Sequence, residues 1–113
     1  MTFKLLIFLK RRPGMSPGEF RDYYEHRHIP LCMKYMAGVQ CYRRRYLELP
    51  PGAPELDFDV ITELGFPDAR TRDLVLETLA RDAMPADVIA DEAHVFDRSR
   101  SRAVAVAEVE TAV

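Results

Sequence analysis

The chain has 113 residues, 48% hydrophobic and 30% charged, and its 16 Lys+Arg against 18 Asp+Glu leave a formal net charge of −2. That is the size and balance of one small globular domain, residues 1–113. It excludes a generally basic nucleic-acid binder and a strongly acidic disordered segment.

The five Tyr and six Phe, with many Val, Leu and Ile, supply a core. A domain this short buries only about two-thirds of its unfolded surface, so a ligand cavity competes with that core and a partner subunit is expected to add packing. No window approaches the roughly 18 consecutive apolar residues of a membrane helix. The apolar run Leu5 to Leu9 is too short for a signal-peptide core. A cytoplasmic protein is expected, with Cys32 and Cys41 as free thiols because they form no CxxC pair. The charge is unevenly spread: residues 1–50 carry ten basic and four acidic groups, and residues 51–113 carry six and fourteen.

Residues 2–11 read as a strand with Phe3, Leu5, Ile7 and Leu9 on one face and Lys4, Leu6, Phe8 and Lys10 on the other. Apolar residues on both faces predict a central strand covered on both sides. After Arg12-Pro13-Gly14, the run Ser16-Pro17-Gly18-Glu19 predicts a capped helix start. Phe20, Tyr24, His28, Leu31 and Tyr35 then predict an inward stripe on a helix running to about Ala37 and closed by Gly38. Pro30 lies inside it. Having no N–H, it leaves the His26 carbonyl without its helical partner and predicts a disturbance beside His28.

Residues 39–49 predict a second strand, with Cys41, Arg43, Arg45 and Leu47 opposite Gln40, Tyr42, Arg44, Tyr46 and Glu48. Residues 56–64 predict a third, placing Phe58, Val60 and Thr62 on one face, with Asp57 and Asp59 as partners for the arginines of the second. Residues 68–82 predict a helix capped by Asp68, with Leu74, Val75 and Leu79 inward. Residues 85–91 read as irregular or briefly helical, and residues 94–109 contain the last strand, strongest over 103–109. The order β-α-β-β-α-β is the ferredoxin-like α+β arrangement, a four-stranded antiparallel sheet with helices on one face. The other face also carries apolar residues, so a second copy is the expected cover.

Two stretches resemble a known family. Lys10-Arg11-Arg12-Pro13-Gly14-Met15-Ser16, followed by Phe20 and by Tyr24-x3-His28-x-Pro30-Leu31, is similar to the opening of the EthD domain. Asp91-Glu92-Ala93-His94-Val95-Phe96-Asp97 is similar to its closing motif. The resemblance spans roughly residues 3–107 and implies a dimeric α+β barrel, a homodimer whose sheets pack face to face. It also implies a pocket in each subunit lined by the first helix and the sheet. Barrel relatives act on bulky aromatic or polyketide-like molecules, some as cyclases, some as dehydratases and some as cofactor-free monooxygenases. Others bind haem, which leaves His28 as an alternative haem ligand.

His28 is the leading chemical candidate, because histidine exchanges a proton near neutral pH and the inward stripe turns it toward the sheet. The alternative is a structural histidine bonded to backbone or to Asp97. Tyr24 shares the stripe and is a candidate hydroxyl partner for a substrate carbonyl or phenol; its alternative is core packing. Asp97 is a candidate to orient His28, or to pair with Arg98 or Arg100. His94 reads as a surface or pocket residue. His26 and His28 point roughly 200° apart on a helix and make a poor metal pair, so no metal is expected. Arg43-Arg44-Arg45 alternates across a strand and reads as paired charges rather than a nucleic-acid patch. No phosphate-binding loop or dinucleotide fingerprint is present, so no cofactor is expected.

These readings converge on a lyase-like enzyme doing acid–base dehydration or cyclisation on a bulky aromatic or polyketide-like molecule, with His28, Tyr24 and Asp97 as its site. A non-catalytic hydrophobic-ligand module and a cofactor-free monooxygenase are the alternatives.

Overall fold

A computed structural model describes residues 2–113. Four strands, β1 (Phe3–Leu9), β2 (Cys41–Tyr46), β3 (Val60–Phe66) and β4 (Arg102–Val106), form an antiparallel sheet in the order β2-β3-β1-β4. This is the ferredoxin-like arrangement expected from the sequence, with β1 and β3 as its central strands. Leu5 lies opposite Leu64 and Ala105, and Ile7 opposite Thr62 and Ala103, so this set faces the helices. Leu6, Phe8, Ile61 and Val104 face the other way.

The first helical segment starts as the sequence predicts. Ser16 accepts from the Glu19 N–H, the Glu19 carboxylate accepts from the Ser16 N–H, and Pro17 opens α1 (Pro17–Tyr23). The predicted disturbance at Pro30 is a π-helical stretch, Tyr24–His28, in which Ile29 N–H donates to the Tyr24 carbonyl five residues back. The helix resumes as α2 (Ile29–Met33) and ends earlier than expected, before Gly38 turns the chain at φ +87°.

Widening the turn changes which residues face inward. A regular helix at 3.6 residues per turn drifts from His28 to Leu31 and Tyr35, the stripe expected above. The wider turn keeps a spacing of four, so Phe20, Tyr24, His28 and Cys32 line up as a buried row, with Ile29 buried beside them and Tyr35 exposed. Phe20 is 1% exposed. It packs edge-on against Phe96 and stacks on Tyr24, a burial worth about 1.5–3 kcal/mol.

Three further expectations are corrected. β3 begins at Val60, not residue 56. Asp59 is the last position to bond neighbouring strands, through Leu9 and Leu47, and Phe58 sits on the opposite face against Phe8, with ring centroids 5.3 Å apart. In α3 (Ala69–Ala80), capped by Asp68 as predicted, Val75, Leu76 and Leu79 turn inward while Leu74 is exposed. Residues 85–91 are helical rather than irregular, and the helix is longer than expected: α4 (Ala86–Val95) runs into the segment assigned to the last strand. A short 3-10 turn, Arg98–Arg100, separates α4 from β4.

The arginine run pairs with partners other than Asp57 and Asp59. Arg43, directly across on β2, and Arg45, on the diagonal, both meet Glu63 of β3, with N···O distances of 3.1 and 3.2 Å. Arg44, on the helix face, binds Glu25 in a fork at 2.6 and 2.9 Å. Asp59 instead holds Arg11 and Lys10, and Asp57 pairs with Arg100. Thus the basic first half and the acidic second half meet within one subunit.

Gly65 is the tightest point in the sheet. A Cβ added there lies 2.6 Å from Thr2 Cγ2 and 2.9 Å from Cys41 Cβ, the latter fixed to the neighbouring strand. We expect Gly65→Ala to lower unfolding stability by about 1–3 kcal/mol, read by denaturant titration, because β2 must move away from β3 to admit one methyl group. An unchanged midpoint would mean that β2 is not held in this register.

Candidate active site

Between the helices and the sheet lies a cavity of about 570 Å³. Ile7, Leu9 and Leu64 form its floor, Val75, Leu76 and Leu79 of α3 its roof, and Val88 and Phe96 one wall. No residue of α3 is fully buried, although its Val75 and Leu76 pack against Leu5, Leu64 and Phe66 of the sheet. Tyr24, His28 and Cys32 line the remaining side, with Tyr42 from β2. The cavity therefore has apolar walls, a polar seam at His28 and a charged rim of Asp82, Glu92, Arg98 and Arg102.

His28 is the centre of that seam and is 4% exposed. Its Nδ1 lies 2.8 Å from Asp91 Oδ2, and the other Asp91 oxygen accepts the Tyr23 hydroxyl at 2.6 Å. An ionised carboxylate only accepts, so Nδ1 carries the proton and Nε2 presents its lone pair. Cys32 Sγ, one turn further on the same stripe, is 3.4 Å from Nε2 and donates to it. Phe96 packs edge-on to the imidazole at 5.1 Å. Burial pulls the His28 pKa below its ordinary 6.5, while Asp91 opposes the shift through its hydrogen bond and its charge. At neutral pH the ring is an uncharged base with a fixed tautomer.

Asp97, a candidate to orient His28 or to pair with Arg98 or Arg100, has its carboxylate elsewhere. Its N–H donates to the Lys10 carbonyl, and its carboxylate accepts the Ser99 hydroxyl at 2.6 Å. The reason is the full length of α4. α4 carries Asp91 across the first helical segment, whereas the chain leaves the helix at Phe96 and bonds the end of β1 before Asp97.

Tyr24 is buried where the sequence places it, with its hydroxyl 2.5 Å from Thr62 Oγ1 on β3. Burial raises its pKa strongly, and that of Tyr42 as well, so both remain protonated phenols. His94 is exposed, and His26 is exposed beside Asp22. Two residues at this site escaped the sequence reading besides Asp91. Cys32 was treated only as a free thiol. Glu92 lines the cavity with its pKa raised by burial, and Arg98 Nε holds it at 3.1 Å. The signal for the acidic pair was the spacing of Val88, Asp91 or Glu92, and Val95 after Pro85, a helical period.

A ferredoxin-like sheet, with one buried, carboxylate-held histidine lining a cavity beneath its helices, defines the class as α+β. The sequence matches the EthD domain over residues 12–99, and the chain belongs to that family. Among solved structures it resembles an ethyl tert-butyl ether d (EthD) family protein of Bacillus halodurans. That pair is 16% identical, with a TM-score of 0.64, covering 96% of this chain and 100% of the other. A protein of Arabidopsis thaliana is similar at 12% identity and a TM-score of 0.61, covering 98% and 99% of the two chains. A dimeric ferredoxin-like protein of unknown function from Bacteroides fragilis follows at 11% and 0.52, covering 93% and 92%. At these identities the likeness concerns fold alone. No functionally curated protein matches the chain.

Asp91 favours the protonated ring, so Asp91→Asn should lower the His28 pKa further, followed by the imidazole resonances during an NMR titration. The linkage has a definite sign. Below pH 6.5 the unfolded chain takes up the His28 proton before the folded chain does, so this residue removes stability as pH falls from 6.5 toward the depressed folded value. Thermal melts across that window should show a loss that is absent in His28→Asn.

Proposed function

We propose that this EthD-family chain is a cofactor-free, lyase-like enzyme of the cytoplasm. It would catalyse acid–base dehydration or cyclisation of an apolar aromatic or polyketide-like molecule held in the cavity. The observation that carries the reading is the position of His28, held through Nδ1 by Asp91 and lining the cavity beside Cys32. In this reading Nε2 takes a proton from an activated C–H or O–H of the ligand, and Asp91 stabilises the imidazolium that forms. The phenols of Tyr24 and Tyr42, kept protonated by burial, donate hydrogen bonds to the carbonyl or phenol oxygen on which negative charge develops. The apolar walls exclude water and strengthen those bonds. Asp91 takes the orienting role first assigned to Asp97.

The test starts from the ligand. Native mass spectrometry of the purified protein should retain a small apolar molecule, and turnover of that molecule or its precursor should collapse by about 100-fold or more in His28→Asn while binding persists. The kcat/KM profile should fall at acid pH through an apparent pKa below 6.5, as the base becomes protonated. Unchanged turnover in His28→Asn would exclude the proton-transfer role and leave the cavity as a binding module. Oxygen consumed during turnover would point instead to a monooxygenase.

We further propose that the chain works as a homodimer through the sheet face opposite the helices. Leu6, Phe8, Phe58, Ile61 and Val104 give that face an apolar patch beside the charged cluster of Lys4, Glu63, Arg43 and Arg45, and Val104 is 43% exposed on it. The dimeric description of the Bacteroides fragilis neighbour supports the same reading. Light scattering should give twice the 13.0 kDa chain mass, and Val104→Asp should shift it to the monomer. A concentration-independent monomer for the native chain would contradict this cover.

A further inference from the structure

Proton transfer to a ligand leaves Cys32 without a task. The thiol is 5% exposed, lines the cavity and lies 3.4 Å from His28 Nε2. It belongs to a chain of four side chains: the Tyr23 hydroxyl donates to Asp91, Asp91 accepts from His28 Nδ1, and His28 Nε2 accepts from Cys32. A nucleophile, a base on it and a third group orienting the base are the parts of covalent catalysis. Here two turns of one helical segment and one residue of α4 supply them. The alignment comes from the π-helical stretch, which puts Cys32 rather than Leu31 on the His28 face.

We propose that Cys32, with His28 as its base, is a nucleophilic site for apolar α,β-unsaturated carbonyl compounds that enter the cavity. The groups facing the thiol are His28, Tyr42 from β2, and Asp87, Asp91 and Glu92 from α4. Burial and the three carboxylates push its pKa up to about 12, while the Tyr42 hydroxyl opposes them. At rest the pair is therefore a neutral thiol on a neutral imidazole, not a standing thiolate. Reaction needs the electrophile in place. As sulfur bonds to the β-carbon, the thiol proton passes to Nε2 and the C=C electron pair moves onto the carbonyl oxygen. His28 then returns the proton to the α-carbon of the enolate. The net change is addition of S–H across C=C, with no oxidant or reductant consumed.

The experiment uses the Cys41→Ser chain, in which Cys32 is the single thiol, and N-phenylmaleimide as the probe. Intact-mass measurement on the folded protein should show one adduct, mapped to Cys32 by peptide sequencing. His28→Asn in that background should slow it about tenfold or more, and Asp91→Asn should slow it by a smaller factor. Absence of an adduct until the protein is denatured would overturn the proposal, as would equal rates with and without His28. Should His28→Asn fail to fold, the Asp91→Asn rate decides: slowing supports the relay and an unchanged rate refutes it. The readout needs no natural substrate, so it stands apart from the turnover test above.

Discussion

The site depends on a hydrogen bond that Pro30 cannot make. With no N–H at that position, the α-helical ladder skips a rung, and Ile29 bonds five residues back to Tyr24 instead of four. The wider turn moves the inward spacing to four, so Phe20, Tyr24, His28 and Cys32 line up over the sheet. Phe20 anchors that line in the core. Tyr24 ties it to β3 through Thr62, and His28 and Cys32 continue it along the cavity wall.

A buried imidazole needs partners for both nitrogens, since an unmet polar atom away from water costs about 1–3 kcal/mol. α4 provides Asp91, and Asp91 is itself fixed by Tyr23, one residue before the π-helical stretch. The same helix supplies Val88 to the cavity wall and Glu92 to its lining, then delivers Phe96 onto the His28 ring. Packing and site chemistry therefore share residues. Phe96 closes the core against Phe20 and Tyr24 while it also limits how the imidazole can turn. Across the cavity, α3 touches the sheet only with half-buried side chains, which leaves the space a ligand needs.

Much of this was legible in the chain because it is local. The capping box at Ser16 and Glu19, the two apolar faces of β1, the cap at Asp68 and the break at Pro30 each depend on neighbours within a few residues. The direction of His28 and Tyr24 followed from the same local period. Asp91 did not, because its bond to His28 joins residues 63 apart in sequence. Residues 85–91, read as irregular or briefly helical, stop short of the full helix that brings it there, and Asp97 was one candidate partner for His28 in its stead. The partners of the arginine run failed for a similar reason. Glu63 is set by the β2–β3 register, with Arg43 directly opposite, and that register follows from where β3 begins. Phe58 showed no such start, since alternation alone continues through the break at Asp59.

The account rests on one protonation state: a neutral His28 with its proton on Nδ1, toward Asp91. Nitrogen-15 shifts of the His28 ring measure this directly at pH 7. A protonated Nδ1 and an unprotonated Nε2 are the result expected from Asp91 and Cys32 as they stand. A ring protonated at Nε2, or an imidazolium at that pH, would contradict the base, the tautomer and the relay built on them.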